Sequence, residues 1–196
     1  PNHETTLANS LCYQRSNLIK LKFNQALIDE ALNKSNKIGT LKDSFTKGKG
    51  QSQGLLAEFA VREHFKHLIT PNENIYNNDL IIAGYKVEVK AKNYKQVTDN
   101  SEWSIAKTSQ HQNPDYYFFV SVNHKGTINN TSEILLAGYI TPQDFYNKAR
   151  FYHKGYQHKY GFTNTGGKSP TDHYNVYQHE LEKFKTSKEK QLKLSI

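Results

Sequence analysis

Cysteine is almost missing from this chain of 196 residues, and methionine is missing altogether. The single Cys12 can form neither an internal disulfide nor a cysteine-based zinc site, which excludes a disulfide-stapled secreted domain and a zinc finger and points to a reducing, cytoplasmic compartment. Five prolines and 11 glycines are too few for a collagenous or low-complexity chain. No apolar run approaches the roughly 18 residues that cross a bilayer, the longest candidates (134–140 and 116–122) having strand length, so no membrane association is expected. The first 20 residues lack a basic start followed by an apolar stretch, and no secretory leader is expected. Acidic residues are also scarce, 18 against 26 basic ones. The resulting charge of +8 favours polyanions such as nucleic acid. Only three of the basic residues are arginine, leaving few forked donors for reading guanine in a groove.

What the chain does have is aromatic surface, 13 Tyr, 10 Phe and one Trp, with 36% hydrophobic residues. That suffices for one domain with its own core. The spacing of Ala26, Leu27, Ala31 and Leu32 predicts a helix over residues 23–34. Leu55, Leu56, Phe59, Ala60, Val61, Phe65 and Leu68 predict a strongly amphipathic one over 54–68, stopped by Pro71 and Asn72. Residues 79–82 and 85–92 read as two strands joined at Ala83-Gly84. Residues 99–114 are polar with room for a short helix, 116–122 and 134–141 are strands, and Pro142 opens a helix to 149. Residues 151–171 read as an aromatic-basic loop and 174–184 as a last helix before a lysine-rich tail. The organisation expected is a single domain: an N-terminal helical and basic extension (1–50), a core (51–150), and the aromatic-basic loop with a C-terminal helix packed on that core (151–196).

A two-residue turn at Ala83-Gly84 pairs Leu80 with Val87 and sets Asp79 opposite Glu88. Lys90 then joins the two carboxylates on one face of the hairpin, while Leu80, Ile82, Val87, Val89 and Ala91 form the other, apolar face. Like charges directly opposite on a sheet are destabilising, so this face calls for a neutralising neighbour or a bound cation. A three-residue turn would instead pair Asp79 with Val87 and separate the carboxylates. Mg²⁺ prefers one or two carboxylates with waters and phosphate oxygens, and a lysine alongside can hold a phosphate or orient a water.

Asp79 followed by Glu88-Val89-Lys90 at the centre of an apolar hairpin resembles the PD-(D/E)xK nuclease superfamily, although Asn78 stands where its signature has proline. The resemblance implies an α/β fold with a restriction-endonuclease-like core, a central mixed sheet flanked by helices. It implies an Mg²⁺-dependent DNA endonuclease of homing or restriction type, with Mn²⁺ able to substitute, leaving a 5′-phosphate and a 3′-hydroxyl, acting on double-stranded DNA, commonly as a homodimer. A junction resolvase or recombination nuclease is the alternative within the class, and a non-catalytic nucleic-acid-binding module the alternative outside it. Beyond residues 51–122 there is only a general likeness to small phage-encoded nucleases, which would place the protein in the host cytoplasm. By the same resemblance the metal ligands are Asp79, Glu88 and Val89, and the catalytic set adds Lys90, Glu58 on the preceding helix, and Lys107 or Gln110 after the hairpin. Glu58 could equally form an exposed ion pair with Arg62, four residues on.

Other signatures fail on inspection. Leu136-Ala137-Gly138-Tyr139-Ile140 echoes the LAGLIDADG motif but has Thr141 where the catalytic acid belongs, and Gly161 to Ser169 misses the phosphate-loop spacing by one residue. The histidines, including His153, His158, His173 and His179, make no zinc pattern. Residues 151–160 interleave rings with basic side chains, as expected either of a segment stacking on bases and phosphates or of one packing the C-terminus onto the core. On the first reading Lys154, Lys159 and Tyr156 contact DNA, together with Lys47, Lys49, Lys92 and Lys107; Lys42 could add to the grip.

Overall fold

In the computed structural model, residues 18–38, 50–70, 79–124, 128–157, 168–169 and 171–184 are described. Helix α1 (Gln25–Ile38) starts where Asn24 Oδ1 accepts the Leu27 N–H at 3.0 Å, a side-chain cap that satisfies one of the free donors of the first turn. Its inward stripe is Leu27, Ile28 and Ala31, whereas Ala26 and Leu32 face out, a rotation of the face that the spacing suggested. Helix α2 (Gln51–His64) buries Leu55, Leu56, Ala57, Phe59, Ala60 and Val61. It ends four residues before the expected Leu68, because residues 65–68 tighten into a turn (Leu68 N–H to Phe65 O, 2.7 Å) that lays Ile69 beside Ile82. The stop signal Pro71-Asn72 lies outside the described residues.

Strands β1 (Ile19–Lys20), β2 (Leu80–Ile82), β3 (Tyr85–Lys92), β5 (Tyr116–Asn123) and β6 (Glu133–Ile140) form a mixed five-stranded sheet in the order β1-β6-β5-β3-β2. Only the β3–β5 pair is parallel; the others are antiparallel. The β2–β3 connection is the two-residue turn, with Ala83 at φ 52° and Gly84 at φ 86°. Positive φ at both positions marks the turn type whose twist matches a hairpin. Glycine takes such a φ freely, and Ala83 bears the strain.

Residues 99–114 and 174–184 depart from expectation. The first contains strand β4 (Glu102–Ala106), whose alternating Trp103 and Ile105 are buried, followed by the short 3-10 helix Lys107–His111. The second is strand β8 (His173–Tyr177) and a 3-10 turn, Gln178–Glu180, rather than a helix. Aromatic and β-branched Tyr174, Val176 and Tyr177 suit a pleated surface, and β4 supplies the pairing edge: Trp103 opposite Val176, Ile105 opposite Tyr174. With β7 (Arg150–Tyr152) these strands make an antiparallel three-stranded sheet, β4-β8-β7.

The large sheet separates two cores. On one face α1 and α2 pack against Val87, Val89, Phe118, Val120 and Leu136. On the other, Trp103, Ile105 and Val176 of the small sheet and Phe145 of helix α3 (Pro142–Lys148) pack on Tyr117, Phe119 and Ile140. The two long helices therefore cover one face, and the small sheet with the short α3 covers the other. The N-terminal residues are built into the core, Ile19–Lys20 as an edge strand of the large sheet and α1 in the helical layer, and the C-terminal segment closes against β6, where a Cβ on Gly138 would stand 2.7 Å from the Glu182 carbonyl oxygen. That close approach explains the glycine of the rejected LAGLIDADG echo. Among the described residues no helix is long and apolar enough to cross a membrane.

Candidate active site

The hairpin register, Leu80 with Val87 and Ile82 with Tyr85, directs Asp79 towards Glu88 and divides the side chains as the alternation requires. Leu80, Ile82, Val87, Val89 and Ala91 join the helical core, and Glu88 and Lys90 point the other way. Asp79 leaves the ladder as it arrives: its N–H donates to Val87 O at 3.1 Å, and its Oδ2 accepts the Val89 N–H at 2.7 Å.

Glu88 is 4% exposed. Its Oε1 accepts from Lys90 Nζ at 2.7 Å and from Gln112 Nε2 at 2.9 Å, while Lys90 Nζ also donates to Gln112 Oε1 at 3.1 Å. The three side chains close a ring that fixes the ammonium and one carboxylate oxygen. The other oxygen, Oε2, is buried with no hydrogen-bond partner among the described residues. A buried carboxylate oxygen without a partner is costly, and it is the feature of this site that asks for a cation.

Glu58, half-buried on α2, joins the cluster electrostatically. Its carboxyl is raised to about 7, chiefly by burial, with the Lys34 ammonium acting downward and the charge of Glu88 upward. Asp79 is held well above the usual carboxylate range, first by burial and then by Glu58 and Glu88, against the Val89 N–H and Lys90. Glu88 raises both Glu58 and Asp79, and Glu58 raises Asp79, because like charges share a poorly solvated space. Arg62 does not neutralise Glu58 by pairing with it; its guanidinium reaches Glu30 at 3.3 Å and lies 4.6 Å from the Phe59 ring centroid.

Two tyrosines missed in the sequence complete the surroundings. Tyr117 stands beside Glu88 in the β3–β5 register. Its hydroxyl is buried next to that of Tyr146 on α3 and is pushed far up by burial, then by Tyr146, and also by Glu88. Tyr146 is raised chiefly by burial and is pulled back by the Tyr117 hydroxyl and by Lys90.

Gln112 was missed as well. Gln110 is exposed on the 3-10 helix, whereas Gln112, just past its end, carries the bonds to Glu88 and Lys90. The sequence offered both glutamines after the hairpin; Gln110 lies inside the 3-10 helix, and Gln112 is the extended residue that follows it. Of the expected DNA contacts, Lys92 is turned inward: its amine donates to Glu102 O at 2.8 Å, sits 5.1 Å from the Tyr94 ring centroid, and is lowered to about 8 by burial. Lys107 and Lys154 are exposed, and Tyr156 is 50% exposed. Lys42, Lys47, Lys49, Lys159, Asn78 and His158 lie outside the described residues. Among the described residues no three His, Cys, Asp or Glu side chains form a metal cage. His173 is instead a buried residue 2.8 Å from Ser169 Oγ.

The donor set suits a hard cation held by two carboxylates and completed by water and substrate oxygens, the usual coordination of Mg²⁺. Val89 can offer such an ion only its main-chain carbonyl. No family model, curated protein or solved structure matches the chain. The geometry alone carries the functional argument.

Proposed function

We propose that this protein is a divalent-metal-dependent DNA endonuclease with a restriction-endonuclease-like core. The observation that carries the reading is the state of Glu88: one oxygen held by Lys90 and Gln112, the other buried without a partner, beside Asp79 and Glu58. Asp79 and Glu88 would hold the ion, with Glu58 next to them. When bound, Mg²⁺ or Mn²⁺ would supply charge neutralisation at the phosphate and lower the pKa of a nearby water.

The chain's own groups do the rest. Lys90, its ammonium fixed by Glu88 and Gln112, presents its remaining hydrogen to a phosphate oxygen or to the attacking water. Gln112 keeps the amine from swinging into solvent. Glu58, which is protonated below about pH 7, is able above it to accept a proton at its carboxylate. Water oxygen bonds to phosphorus, the P–O3′ bond breaks, and the products are a 5′-phosphate and a 3′-hydroxyl. Double-stranded DNA is the proposed substrate, met by a chain of charge +8, and a homodimer would cut both strands. Conversion of supercoiled plasmid to nicked and linear forms in Mg²⁺, absent in EDTA, tests the reading.

A further inference from the structure

Rings run from the catalytic cluster to the protein surface. Tyr146, whose hydroxyl adjoins Tyr117, meets Tyr174 edge-on at 5.2 Å between centroids, and Tyr174 meets Phe151 at 4.9 Å. Phe151 is 37% exposed; the exposed His153 ring stands 4.8 Å from it, and Lys107 Nζ lies 5.6 Å from its centroid. The register explains the arrangement. Phe151 pairs with Tyr174, which pairs with Ile105, so all three share the face of the small sheet that meets the core, and the first two extend past its rim. Tyr152 and Tyr156 contact each other on the opposite face, at 4.7 Å, so the aromatic-basic segment is split between two surfaces.

Local charge is chiefly positive. Lys107, His153 and Lys154 surround one acid, Asp172, whose carboxylate also accepts the Lys154 N–H at 2.8 Å. Lys107 and Gln112 bracket the 3-10 helix, which rises about 10 Å over its five residues. The Phe151 ring, beside Lys107, is thus joined to the Gln112–Lys90 end of the cluster by one short helix.

We infer that the Phe151 rim, with His153 and Lys107, is a stacking platform for an unpaired base of the strand being cut, so that the preferred substrate carries a single-stranded or splayed segment next to the scissile phosphate. A partly exposed ring with a lysine ammonium beside it suits a base and a phosphate together; a paired base in a duplex offers no free face. This inference rests on the nuclease reading above, and a binding assay separates the two. Fluorescence anisotropy in EDTA would compare labelled oligothymidine, a forked duplex and a blunt duplex of equal length, with folding checked by circular dichroism. Expected are tighter binding of oligothymidine and fork than of blunt duplex, about tenfold weaker oligothymidine binding in Phe151→Ala with the blunt duplex unchanged, retention in Phe151→Trp, and a salt slope reduced by about one in Lys107→Ala. Equal binding of oligothymidine by wild type and Phe151→Ala, or a preference for blunt duplex, overturns the platform. Should Phe151→Ala fail to fold, weakened binding of oligothymidine in a folded Phe151→Trp overturns it instead. Absence of cleavage of both plasmid and forked duplex in Mg²⁺, with the Phe151 effect intact, would sink the nuclease reading and leave the platform standing.

Discussion

Without divalent cations, raising the pH from about 4.5 to 7 should destabilise the protein through its desolvated carboxyls, Glu58 and Asp79. In the fold the Glu58 carboxyl keeps a proton up to about 7, while in the unfolded chain it loses it near 4.5. Between those values the native state binds more protons than the unfolded state, so stability falls as pH rises, by at most about 1.4 kcal/mol per unit. Across the window this comes to about 3 kcal/mol, and somewhat less where solvent reaches the half-buried group. Asp79, raised for related reasons, acts in the same direction. For a chain of this size that is about 5–10 °C in melting temperature. The assay is thermal unfolding followed by circular dichroism from pH 4.5 to 8 in EDTA, for wild type and for Glu58→Gln, whose difference isolates the group. Wild type should lose stability relative to the variant as pH rises, and excess Mg²⁺ should restore it by binding the ionised cluster. Parallel curves for the two proteins would refute the electrostatic account of the cluster.

Lys90→Ala should slow plasmid cleavage by orders of magnitude, and an effect below about threefold, some 0.6 kcal/mol in barrier terms, would make the lysine a bystander. Gln112→Ala should lower kcat while Gln110→Ala does not; equal effects in steady-state cleavage assays would contradict the Lys90–Gln112–Glu88 ring. Gly138→Ala should destabilise the fold by about 1–3 kcal/mol in urea, because the added Cβ meets the Glu182 carbonyl rather than a movable side chain. An unchanged midpoint would mean that residues 181–184 are not docked there.

The hairpin was legible because alternation and a Gly-containing turn act over adjacent residues: Asp79, Glu88 and Lys90 fall together once Ala83-Gly84 is read as a two-residue turn. Helices α1 and α2 were legible from their apolar spacing, less so their ends, which caps and tertiary turns decide. Strands β4 and β8 were not. Trp103 and Ile105 alternate among polar residues over too short a run, and their strand character comes from pairing with Tyr174 and Val176, about 70 residues away. The same long-range pairing hid Tyr117 and Tyr146, apolar-looking residues in the sequence whose hydroxyls meet beside Glu88 only in the fold. Gln112 differed from Gln110 only in lying just past the end of the 3-10 helix, which no local sequence signal marks.

In the function proposed above, Glu88 holds a catalytic metal ion through an oxygen that has no partner among the described residues. Plasmid cleavage by wild type and Glu88→Gln, each with Mg²⁺ and with EDTA, alongside DNA binding in EDTA, tests it most directly. Wild type should cleave in Mg²⁺ alone, and a folded Glu88→Gln should not cleave while binding DNA as tightly as wild type or tighter, having lost a negative charge facing phosphate. Wild-type turnover in that variant, or cleavage by wild type undiminished in EDTA, would contradict it.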